Sequence, residues 1–94
     1  IGALKLDPAH YTVEHGKKPI YLTTREFGLL EYFLRNQGRV LTKDTIIAHV
    51  WDYDADILPN TVEVYVKYLR AKVDKPFGTN YIKTVRGFGY KMSK

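Results

Sequence analysis

An α+β arrangement, with three helices set between two small antiparallel β elements, is predicted for this 94-residue chain by three observations. The opening residues alternate apolar and polar positions at the period of short strands, punctuated by Asp7-Pro8 and His15-Gly16. Three later stretches carry apolar residues at helical spacing, each behind a residue suited to cap a helix. Near the end, residues 81–85 and 90–92 flank Arg86-Gly87-Phe88-Gly89, which reads as strand, glycine-rich tip, strand. Sheet, helix, helix, helix, hairpin is the order of a winged helix-turn-helix.

The expected strands of the first sheet are residues 4–7, 11–14 and 17–22, with Leu4, Leu6, Tyr11, Val13, Ile20 and Leu22 alternating roughly with polar neighbours. The sequence starts inside the first strand, so a longer natural protein with a further segment upstream is expected. Thr23-Thr24-Arg25-Glu26 is a capping box, with threonine at the cap and glutamate three residues on. Phe27, Leu30 and Leu34, supported by Leu29 and Phe33, form the core side of the helix behind it. Asn36-Gln37-Gly38 closes that helix, with Gly38 as its left-handed terminator. Val40-Leu41 has room only for a bridge or a single-pair strand.

Thr42 caps a second helix, expected from Lys43 to about Trp51, that buries Ile46, Ile47 and Val50. Lys43 stands in its first turn, where the helix dipole disfavours a cation. An external anion would remove that conflict, because helix N-termini bind phosphate. The plainer reading is an exposed lysine that costs a few tenths of a kcal/mol.

Residues 52–59 form an acidic connector containing Asp52, Asp54 and Asp56. A third helix is expected over 60–74, with Asn60 as its cap and Glu63 three residues later. Val62, Val66, Leu69 and Val73 fall on one narrow stripe, the spacing of a buried face. Half a revolution away lie Asn60, Val64, Lys67 and Ala71, flanked by Thr61, Glu63, Tyr68 and Arg70. A helix lying in a DNA groove requires such a mixture, since phosphates attract cations and base edges need donors, acceptors and methyl contacts. A solvated amphipathic helix would show the same pattern, so this stretch alone leaves both readings open.

The charge distribution favours the first. The net charge is +5, but from Thr61 onward eight cations stand against Glu63 and Asp74, a local balance of +6, while the preceding residues sum to −1. A positive field concentrated in the last third is an electrostatic footprint for a polyanion. Hydrophobic residues at 45% and charged residues at 27% are an ordinary globular balance, which excludes a disordered or low-complexity chain. No apolar run is long enough to span a bilayer, so no membrane role is expected. The absence of cysteine removes disulfide and thiolate chemistry and fits a cytoplasmic, reducing compartment.

Sharper chemistry finds little support. Asp52, Asp54, Asp56 and Glu63 imitate a calcium loop, but Ile57 occupies the place where the sharp turn needs glycine. Gly87-x-Gly89 has no helix behind it to cradle a phosphate. His10, His15 and His49 lack metal-ligand spacing, and Ser93 lies in no nucleophile setting. No enzyme activity, cofactor or metal is expected.

The residues quoted closely resemble the OmpR/PhoB family of response-regulator effector domains. The resemblance is carried by Leu6-Asp7-Pro8, by residues 22–30 (Leu-Thr-Thr-Arg-Glu-Phe-Gly-Leu-Leu) and by Val50-Trp51. It continues through 60–66 (Asn-Thr-Val-Glu-Val-Tyr-Val), 69–73 (Leu-Arg-Ala-Lys-Val) and 84–90 (Thr-Val-Arg-Gly-Phe-Gly-Tyr), nearly the whole chain in order. The closing motif is highly specific when paired with the third-helix pattern.

That resemblance implies a DNA-binding output domain of a two-component system, with an upstream phosphoreceiver domain, a cognate sensor kinase and head-to-tail binding to direct repeats. It implies base or phosphate contacts from Asn60, Thr61, Glu63, Val64, Lys67, Tyr68 and Arg70 in a major groove. Arg86 is expected in a minor groove, where a narrow A·T stretch attracts arginine. Thr84 and Tyr90 resemble backbone-contacting wing residues, Lys43 and Trp51 resemble phosphate contacts from the second helix, and segment 52–59 resembles a surface that touches RNA polymerase. Three positions depart from the family pattern. Asn60 and Lys43 replace arginines common among members, and Tyr68 replaces a common basic residue and cannot fork onto guanine. The alternative reading is a winged helix whose basic face docks an acidic protein.

Overall fold

The computed structural model describes residues 1–51 and 57–94. Three strands, β1 (Leu4–Asp7), β2 (Thr12–His15) and β3 (Lys18–Ile20), form an antiparallel sheet in sequence order. Leu4 and Val13 point into the core from its inner face. One expected strand shifts by a residue, from 11–14 to Thr12–His15, and another shrinks, from 17–22 to Lys18–Ile20. Tyr11 adopts φ 54° and ends the run before β2, its ring lying 4.7 Å from that of Phe27. β3 is an edge strand, which accommodates Pro19 because a proline has no N–H to donate to a ladder.

Helix α1 (Thr24–Arg35) begins at the capping box read from the sequence. Thr23 Oγ1 accepts from the Glu26 N–H, and Glu26 Oε1 accepts from the Thr23 N–H at 2.8 Å. Phe27, Leu29, Leu30 and Phe33 are buried, whereas Leu34, an expected core position, is half-buried. Strand β4 (Leu41–Thr42) is the short pairing for which Val40-Leu41 left room, displaced by one residue.

The second helix departs from expectation. α2 is α-helical only over Lys43–Ile46 and continues as a π-helical turn through Ile47–Trp51. A π turn is wider than an α turn and shifts the face that later residues present. Trp51 is thereby buried at 5% exposure, while Ile47 and Val50, expected inside, are half-buried.

Helix α3 (Pro59–Val73) buries the predicted stripe, with Val62, Val66, Leu69 and Val73 all at 1% exposure or less. Burying such a side chain contributes about 1.5–3 kcal/mol, so this stripe is a principal anchor of the helix. Its start corrects the sequence reading. Leu58 is the N-cap residue, without a side-chain cap bond, and Pro59 occupies the first turn. Proline is pre-set for that position because its fixed φ is helical and it has no N–H to leave unpaired. Asn60 is therefore inside the helix and exposed rather than capping it. At the far end Asp74 is buried, and its carboxylate accepts from Thr79 Oγ1, Tyr81 N and Ile82 N. One side chain thus sets the path from α3 into the hairpin.

That hairpin pairs β5 (Ile82–Val85) with β6 (Gly89–Met92), and β6 also pairs with β4. Gly89 explains the closeness of this second contact. At φ 154°, it would place a Cβ 2.1 Å from the Leu41 carbonyl oxygen, so only glycine lets β6 approach β4.

Candidate nucleic-acid interface

The start of the third helix and the wing stand side by side. On α3, Asn60, Glu63, Val64, Lys67 and Tyr68 are exposed and Thr61 is half-buried, as the half-revolution offset from the buried stripe requires. Val64 is 41% and Tyr68 50% exposed, so the apolar portion of this face is available for contact. Arg86, Gly87 and Phe88 form a three-residue tip, closed by a bond from the Phe88 N–H to the Val85 carbonyl at 3.0 Å. Gly87 at φ 79° allows that turn.

An open cleft of about 510 Å³ lies between the start of α2, the start of α3 and the wing. Lys43, Glu63, Thr84, Arg86, Phe88 and Tyr90 are among its walls. Tyr90 is only 6% exposed, and burial pushes its phenol pKa up, against the lowering effect of Lys43. It is a wall of the cleft rather than a projecting side chain.

Four expected contact residues have internal partners, Arg70 with Thr84 and Lys43 with Glu63. Arg70 Nε donates to the Ile82 carbonyl at 3.1 Å, Nη2 donates to Thr84 Oγ1 at 2.7 Å, and the guanidinium lies 5.6 Å from the Tyr90 ring centroid. Its geometry braces α3 against β5 and fixes the angle of the wing. Lys43 Nζ donates to Glu63 Oε1 at 2.6 Å, so the dipole conflict read from the sequence is relieved within the chain. The hydrogen-bonded Glu63 carboxylate holds the Lys43 ammonium above its usual pKa.

Trp51, which the resemblance implies as a phosphate contact, is largely enclosed. Its indole is in the core, edge-on to Tyr65 at 5.3 Å, with the Arg25 guanidinium 5.5 Å from its ring centroid. Arg25 Nη1 donates to the Val50 carbonyl at 2.6 Å, joining α1 to the end of the π turn. The Asp52, Asp54 and Asp56 part of the 52–59 segment lies outside the described residues. Among those described, no cluster of His, Asp or Glu could hold a metal ion. Nor is any described helix long and apolar enough to cross a membrane.

Sequence reasoning did not single out Phe88 as a member of the cleft, nor Lys72 as the partner of Glu26. For Phe88 the signal was present, a large apolar residue isolated between two glycines at a hairpin tip.

A short sheet, a helix-turn-helix and an arginine-tipped hairpin beside the exposed face of its third helix define a winged-helix domain. Residues 16–92 match the family model described as "Transcriptional regulatory protein, C terminal". The chain is 40% identical over 93 residues to the transcriptional regulatory protein TcrA of Mycobacterium tuberculosis, covering 99% of this chain and 37% of that protein. It is 42% identical over 98 residues to the alkaline phosphatase synthesis transcriptional regulatory protein PhoP of Bacillus subtilis, covering 100% of this chain and 40% of that one. It also resembles the Klebsiella pneumoniae RstA DNA-binding domain solved in complex with the RstA box, at a TM-score of 0.86 and 28% identity, covering 98% and 92% of the two chains. The chain belongs to the family of OmpR/PhoB-type transcriptional regulator C-terminal domains. It spans about two fifths of the length of these two curated relatives.

Proposed function

We propose that this domain binds double-stranded DNA sequence-specifically, with α3 in the major groove and the wing at the adjacent minor groove, as the output of a response regulator. The observation that carries the reading is the cleft in which Pro59 and Glu63 of α3, the helix whose outer face exposes Lys67, meet a hairpin tipped by Arg86. Cations on both elements can neutralise phosphates, while Val64, Tyr68, Glu63 and Asn60 offer base edges apolar and polar contacts. Arg70, with Nε and Nη2 engaged by β5, acts by holding the wing in place, and Thr84 supports it. Lys43 is a phosphate ligand once it leaves Glu63.

The remaining partners rest on family membership. A receiver domain and sensor kinase would control this domain in the cytoplasm, and direct repeats would supply avidity to a weak monomer. The 52–59 connector would touch RNA polymerase. The relatives are transcriptional regulators, which supports a role without catalysis.

A salt titration on duplexes selected from a random pool tests the reading. Binding should weaken with a log-log slope of several units, near −0.9 per phosphate contact. Arg86→Ala should weaken binding most on A·T-rich flanks. A flat salt slope and a neutral Arg86→Ala would instead support a basic surface that docks an acidic protein.

A further inference from the structure

Lys43 and Glu63 come from different helices, 20 residues apart, and meet at 2.6 Å on the wall of the cleft. Both are partly open to water, at 33% and 52% side-chain exposure. An exposed pair of this kind is held weakly and is screened by salt, so exchange of partners is accessible. Its position is unusual for a surface ion pair. Glu63 lies on the outward side of α3 beside Val64 and four residues before Lys67, the face that meets base edges in the reading above. Lys43, at the start of α2, faces Glu63 across the same cleft. The carboxylate therefore occupies the role that a DNA phosphate would take.

A carboxylate brought against DNA is repelled by phosphates and is tolerated where a donor meets it. In the major groove the cytosine N4 amino group is a donor suited to glutamate. We propose that Glu63 gates the Lys43 phosphate contact, holding the ammonium in the free chain and on unmatched DNA and releasing it where a cytosine amino group receives the carboxylate. One ion pair would then couple a base readout to a backbone contact. It would withhold a cation from non-specific DNA, lowering background binding as well as raising cognate binding. The inference rests on α3 reading the major groove.

The test measures affinity against salt for the wild-type chain, Glu63→Gln, Lys43→Gln and the double variant. The probes are a duplex selected from a random pool, versions with single C·G pairs replaced by A·T, and a scrambled duplex. Glu63→Gln should bind the scrambled duplex roughly two- to fivefold more tightly, the most an exposed ion pair can withhold, with a slope steeper by about 0.9, the increment of one added phosphate contact. Adding Lys43→Gln should abolish that gain. At one C·G pair, replacement should weaken wild type about tenfold and Glu63→Gln less than about twofold, as expected if the glutamate reads that amino group. Lys43→Gln alone should weaken the selected duplex several-fold more than the scrambled one.

The gate is overturned if wild type prefers the selected duplex while Glu63→Gln gains nothing on scrambled DNA. It is equally overturned if Lys43→Gln weakens both duplexes alike. A wild-type chain with no preference for selected over scrambled DNA defeats the reading of α3 itself, a distinguishable outcome. The Lys43→Gln comparison decides the matter even if Glu63→Gln folds poorly.

Discussion

Glu26 and Lys72, 46 positions apart, meet at 2.6 Å, and their pair fastens the later part of α3 to the first turn of α1. The same Glu26 oxygen accepts the Thr23 N–H of the capping box, so one carboxylate at 3% exposure serves helix α1 and its packing against α3. Burial pushes the Glu26 pKa up, but the Lys72 ammonium and the Thr23 bonds outweigh it and leave the group below its usual value.

Lowered in the folded state, the Glu26 pKa contributes stability that is present above the unfolded value and lost as pH falls through the folded one. Melting temperature measured against pH should therefore drop on acidification more steeply in wild type than in Glu26→Gln. Lys72→Met should cost about 1–2 kcal/mol at neutral pH, less than a fully buried pair would, because Lys72 is 40% exposed and water screens it. Superimposable acid profiles for wild type and Glu26→Gln would contradict the linkage.

Arg70→Ala should affect the angle of the wing more than the face of α3. The loss of bonds to the Ile82 carbonyl and Thr84 Oγ1 should lower stability by about 1 kcal/mol, since these bonds are partly open to water. DNA affinity should fall for all sequences, with base preference retained. A variant that keeps full affinity but reads a different sequence would show that Arg70 contacts bases directly.

Gly89→Ala places a methyl group where the Leu41 carbonyl stands and imposes a positive φ on a residue with a side chain. Destabilisation of at least about 2 kcal/mol is expected, by clash and backbone strain together. Gly87→Ala meets open space and carries only the conformational cost at φ 79°, so it should be the milder change. Chemical denaturation of the two variants gives the comparison, and equal stabilities would contradict the close approach of β6 to β4.

Val64→Ala and Lys67→Ala should separate specificity from affinity on the exposed face of α3. Loss of Val64 should erode discrimination at a thymine methyl without changing the salt slope. Loss of Lys67 should lower affinity broadly and flatten the slope by about 0.9 if it holds phosphate, or redistribute preference if it reaches guanine. Binding of both variants indistinguishable from wild type on a selected duplex would count against this face as the reading surface.

Local pattern determined much of this protein. The Thr23–Glu26 box and the Val62, Val66, Leu69, Val73 stripe express chemistry within a few residues and took their predicted structure, as did the glycine-rich hairpin tip, shortened to Arg86–Phe88 because Gly89 joins β6. The outer face of α3 followed from the same periodicity, because a helix that buries one stripe must expose the opposite one. Tertiary structure decided the rest. The π turn carried Trp51 inward, whereas the helix start at Pro59, which displaced Asn60 inward, was a local proline signal left unread. Arg70 found Thr84, Lys43 found Glu63 and Lys72 found Glu26 across 14, 20 and 46 residues. Periodicity specifies which side of an element is apolar, but a long charged side chain takes the partner that packing brings within its reach, and no local spacing encodes that distance.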